Sequence, residues 1–70
     1  MITERFQVPE VSCQHCVSAI TKEVSAIPGV QQVQVALDSK VVTVAHAEQV
    51  SAAAIVAAIN EAGYEEVAQI

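Results

Sequence analysis

Val11-Ser12-Cys13-Gln14-His15-Cys16 contains both cysteines of this 70-residue chain, and the hydrophobic pattern changes period across it. Upstream, Phe6 and Val8 share one face and Thr3, Arg5 and Gln7 the other, so residues 2–8 read as a half-buried strand. Downstream, Cys16, Ile20, Val24 and Ile27 recur at helical spacing, so residues 14–27 read as a helix with one apolar face. Pro9 cannot donate to a strand ladder and should end the first element. The loop Pro9–Ser12 then carries the chain to the cysteines, with Ser12 or Cys13 as the helix cap. The pair therefore lies where a strand hands over to a helix.

The rest of the chain extends this pattern. Pro28-Gly29 stops the helix, because a residue before proline avoids the helical region and glycine suits the exit. Residues 30–37 alternate, with Val33, Val35 and Leu37 against Gln32, Gln34 and Ala36. Asp38-Ser39-Lys40 reads as a turn and residues 41–45 as a β-branched strand, which together predict a hairpin. A second helix follows, capped by Ser51, stapled by Val50 and Ile55, and carrying Ala52, Ile55, Val56, Ile59 and Ala62 on its apolar face. Gly63 ends it, and residues 64–70 suit a short last strand. Right-handed crossovers in this βαββαβ order give an α+β, ferredoxin-like fold: a four-stranded antiparallel sheet with two helices on one face. Residues 1–70 then form one domain, with the Cys13 loop and the Gly63-Tyr64 loop at the same end.

Composition narrows the function. Hydrophobic residues make up 53% of the chain, with one Phe, one Tyr and no Trp, so the core is aliphatic and the chain too apolar to be disordered. Three basic residues against eight acidic ones cannot neutralise a row of phosphates, which excludes nucleic acid as a partner. No apolar run approaches the roughly 20 residues of a membrane span, and the N-terminus lacks the basic start and apolar stretch of a secretory leader. A chain complete as it stands is thus expected in the cytoplasm, where thiols stay reduced.

Two close cysteines in that setting point to metal binding or redox chemistry. Cys13 belongs to the exposed loop and Cys16 to the first helical turn, where unpaired N–H groups and the helix dipole favour a thiolate. Two thiolates suit a soft, low-coordinate ion such as Cu(I); a structural zinc site generally wants four ligands, and no second cysteine pair exists to complete one. Competing readings are two inert buried thiols and a dithiol oxidoreductase. His15 is a solvated polar residue or an auxiliary ligand supplied to a neighbouring molecule. His46 is expected in a surface loop after the third strand. Tyr64 either packs its ring on the end of the sheet or supports the thiolates through its hydroxyl. Glu61, Glu65 and Glu66 form a solvated face or steer a basic partner.

The stretch from Val11 to Val17 before a helix, Pro28-Gly29-Val30, the hairpin and Ala62-Gly63-Tyr64 together resemble the heavy-metal-associated domain, and within that family the small bacterial cytosolic copper chaperones. The likeness spans nearly the whole chain. It implies Cu(I) held by Cys13 and Cys16, with Tyr64 as a neighbour of the site. It also implies transfer by ligand exchange to the metal-binding domain of a copper-transporting P-type ATPase, no enzymatic activity, and a copper-linked homodimer as a further state. The same domain also occurs as a module of such transporters and as a carrier of zinc, cadmium or mercury. The family usually has Met where this chain has Val11; valine keeps the place apolar but smaller and stiffer, which bears on loop rigidity more than on metal binding.

Overall fold

A computed structural model describes all residues 1–70. Its elements follow the order β1 (Ile2–Gln7), α1 (Gln14–Ser25), β2 (Val30–Ala36), β3 (Val41–His46), α2 (Ala52–Glu61) and β4 (Ala68–Gln69). The sheet order is β2-β3-β1-β4, and every pairing is antiparallel. Phe6 lies opposite Val42, and Val35 pairs with Val42 from the other side. Inward residues of the strands meet Ile20 and Val24 of α1 and Ile55 and Ile59 of α2 in one cluster. Both helices thus cover a single face, the ferredoxin-like arrangement expected. No helix is long and apolar enough to cross a membrane.

Local chemistry explains where elements stop. α1 ends at Ser25, two residues earlier than the periodicity suggests, with Ala26 as its cap. Ile27 precedes a proline and cannot stay helical at little cost, and its N–H instead reaches Val24 O at 3.1 Å. Ser51 caps α2 by accepting Ala54 N–H at 3.2 Å. At the other end Gly63 takes a φ of +105°. Its N–H bonds Asn60 O at 2.9 Å and the Tyr64 N–H bonds Ile59 O at 3.3 Å, the paired closure of a Schellman turn.

Two expectations are corrected. The last strand is two residues, not seven, because the backbone of residues 64–66 is bonded elsewhere: Asn60 Nδ2 donates to Tyr64 O at 2.7 Å, and the Glu65 and Glu66 N–H groups donate to Glu10 Oε1. His46 is not a loop residue. It closes β3 and is 1% exposed, because the inward alternation of Val42 and Val44 continues to it. Its Nδ1–H donates to Ala47 O at 2.9 Å, and its Nε2 lies 3.1 Å from the Glu4 carboxylate, so a buried polar ring keeps partners for both nitrogens.

Gly29, at φ +103°, lies against the loop that leads into α2: a Cβ there would come within 2.7 Å of Val50 Cγ2. Gly29→Ala should therefore destabilise the protein by about 1–3 kcal/mol through backbone strain, with more from the clash. Chemical denaturation of both proteins measures the difference; an unchanged midpoint would count against this packing.

Candidate metal centre

Val8 and Val11 are both fully buried, and the turn between them closes through Val11 N–H to Val8 O at 3.1 Å. Pro9 and Glu10 bulge outward from it. From this base the chain rises through exposed Ser12 to Cys13, the N-cap of α1. The Cys13 side chain makes no cap hydrogen bond, while its carbonyl accepts from Cys16 and Val17 at 3.1 and 3.3 Å. The orphan N–H groups of the first turn thus have no side-chain competitor for a negative charge at the site.

Cys13 is exposed and Cys16 half-buried, both as free thiols. Their Sγ atoms are 3.6 Å apart, too far for a bond and close enough to share an ion. The Tyr64 hydroxyl does most to lower the Cys16 thiol and the Ser12 backbone does next most; burial pushes back, and Cys13 adds further lowering. The thiol falls from 9.0 to about 6. Tyr64 shows the reciprocal effect: hydrogen bonding to Cys16 pushes its hydroxyl up to about 12. The Schellman turn makes this possible, since the left-handed Gly63 turns Tyr64 off the axis of α2 and back toward α1.

The structure brings Cys13, Cys16 and Tyr64 together. His15 is exposed on the first turn of α1, and no third His, Cys, Asp or Glu completes a cluster with the two thiols. Glu61, Glu65 and Glu66 are exposed, and Glu10 is tied to the last two through their backbone at 3.1 and 3.3 Å. Two residues escaped the sequence reading. One is Glu10; the other is Lys40, which reads in the sequence only as part of a turn, yet its Nζ donates to Val11 O at 2.8 Å. Neither long-range bond has a local sequence signal.

The heavy-metal-associated domain model matches residues 5–65, and the chain belongs to that family. It is 45% identical over 58 residues to the COP-associated protein of Helicobacter felis, covering 83% of this chain and 88% of that protein. It is 41% identical over 63 residues to the copper chaperone CopZ of Enterococcus hirae, covering 89% and 91%. A solved CopZ metallochaperone superposes with a TM-score of 0.88 at 31% identity, covering 91% and 97%. The chain also matches Copper-transporting ATPase 1 of Rhizobium meliloti at 35% over 65 residues, 93% of this chain but 8% of the ATPase.

The lowered Cys16 value sets a pH dependence. Iodoacetamide reacts with the thiolate, so alkylation of Cys16 in the metal-free protein, resolved by peptide mass, should rise through an inflection near pH 6. Tyr64→Phe should move that inflection upward; an inflection left in place would remove the hydroxyl as its main cause. A thiol lowered on folding from 9.0 to about 6 stabilises the native state above pH 9, and that contribution is lost as pH falls through 6.

Proposed function

We propose that this chain carries one Cu(I) ion between Cys13 and Cys16 and hands it to the metal-binding domain of a copper-transporting P-type ATPase. The observation that carries this reading is the thiol pair itself. Cys13 is exposed, Cys16 is ionised near neutral pH, and their sulfurs are 3.6 Å apart. Two soft donors with no third beside them suit Cu(I) and fall short of the four ligands zinc takes in structural sites. Copper chaperones of similar length and sequence from Enterococcus hirae and Bacillus subtilis support the assignment.

Ligand exchange accounts for delivery. A partner thiolate joins the two thiolates around the ion, Cys13 leaves first because it is the exposed ligand, and a second partner thiolate displaces Cys16. Copper keeps its oxidation state throughout: each incoming thiolate forms one copper–sulfur bond and each departing thiolate gives one up. The work is binding and transfer, not catalysis. The carboxylates of Glu10, Glu61, Glu65 and Glu66, borne beside this end of the fold, favour encounter with a basic partner surface, where charge raises the association rate more than the affinity. Residues 1–70 then act as one self-contained carrier domain. The match to a short part of a copper ATPase favours a second reading, in which the same domain serves as a module of a transporter.

An anaerobic titration of the reduced protein with Cu(I) against a chromogenic chelator tests the reading. Saturable uptake near one ion per one or two chains, abolished by alkylating the cysteines, is expected. Cys13→Ser and Cys16→Ser should each greatly weaken binding while the thermal midpoint of the metal-free protein moves little. Unchanged affinity in both variants would refute the ligand assignment. His15 lies exposed beside the pair, where a second molecule can reach it; sedimentation of metal-free and loaded protein should then show a mass increase, and an unaltered monomer would reject the copper-linked dimer.

A further inference from the structure

The turn Val8–Val11, which sets where the cysteines emerge, is gripped at both ends by one residue of the β2–β3 hairpin. The Lys40 carbonyl accepts Val8 N–H at 2.9 Å, and Lys40 Nζ donates to Val11 O at 2.8 Å across 29 positions of sequence. A hydrogen bond from an ammonium is stronger than one between neutral groups, and this one is partly shielded from water.

The backbone of the same residue is strained. Lys40 has a φ of +59°, and no other non-glycine residue has a positive φ. That region suits glycine, and sometimes Asn or Asp, whose short side chains bond locally. Lysine has no such local compensation. Strain of this kind persists where surrounding structure holds it, often at functional sites. The other two cations, Arg5 and Lys22, are exposed, and neither makes a side-chain hydrogen bond to the cysteine loop.

We propose that Lys40 is a positioning residue for the metal site: its ammonium pins the Val11 carbonyl and so holds Cys13, two residues further on, in the arrangement that receives the ion. The proposal rests on the reading of Cys13 and Cys16 as copper ligands. It also accounts for the lysine at a left-handed position, because the tether offsets the strain that glycine would remove.

Lys40→Gly separates the two roles, because it removes the tether and the strain together. In the full 70-residue protein, the thermal midpoint of the metal-free variant should hold or rise. Exchange of the Val11 N–H should accelerate, and the Cu(I) dissociation constant should rise about tenfold, the lower end of what loss of a supporting hydrogen bond costs a metal site. Lys40→Met keeps the strain and most of the stem but loses the ammonium, and should show the same acceleration and weakening. Lys40→Arg keeps a donor and should restore affinity toward the original. Wild-type Val11 exchange and copper affinity in Lys40→Gly would overturn the proposal. So would parallel loss of stability and affinity, which would make Lys40 a folding residue. If the unmodified protein takes up no Cu(I), the carrier reading fails, and Val11 exchange still decides whether the ammonium holds the loop.

Discussion

Burial of the two valines that end a four-residue turn is the constraint on which the cysteine loop depends. Val8 and Val11 are fully enclosed, and burying a side chain of that size contributes roughly 1.5–3 kcal/mol. The hydrogen bonds that brace the turn from outside contribute about 0.5–1.5 kcal/mol each, somewhat more from a charged donor. Packing therefore fixes the height of the loop, and the hydrogen bonds refine its orientation. Val11, where the family usually has methionine, fits this division. What its place requires is an apolar anchor, and its carbonyl, not its side chain, faces the bracing lysine.

The site above that anchor is assembled from two ends of different helices. α1 brings its N-terminus, with no side-chain cap to occupy its N–H groups. α2 brings its C-terminus, where the turn at Gly63 releases Tyr64 toward Cys16. Neither helix alone makes an activated thiol. A dipole end acts over the first turn only, and the tyrosine hydroxyl comes close because the topology places both loops at one end of the sheet. The opposite shifts of Cys16 and Tyr64 are two views of the same contact.

Most of this was legible in the chain because periodicity and punctuation agree. The switch from alternation around Phe6 and Val8 to helical spacing from Cys16 onward placed the cysteines correctly, and Ser51 and Gly63 act as read. The failures have separate causes. Residues 64–66 look extended, yet Asn60 and Glu10 capture their backbone, and no local pattern records bonds from so far away. His46 was assigned by residue type to a loop, although it continues the alternation of Val42 and Val44; its partner Glu4 belongs to another strand, aligned with it only through the β1–β3 register. Lys40 was hidden for a third reason: a lysine in a turn is ordinarily solvated, and its target is a backbone atom, which carries no residue-specific signal.

The antiparallel sheet has a geometric consequence for how such domains can be joined. β1 runs toward the cysteine end and β4, paired with it at Phe6 and Gln7, runs back away. Met1 and Ile70 are both exposed, and neither lies at the tip where the thiols emerge. Polypeptide attached at Met1 would leave from the far end of β1, and polypeptide following Ile70, whose N–H bonds Arg5 O at 3.0 Å, would leave heading away from the thiols. The domain can therefore be strung on a tether, or repeated like beads, with every thiol pair still facing open solvent. One fold can in this way occur as a short chain and as a part of a much longer one.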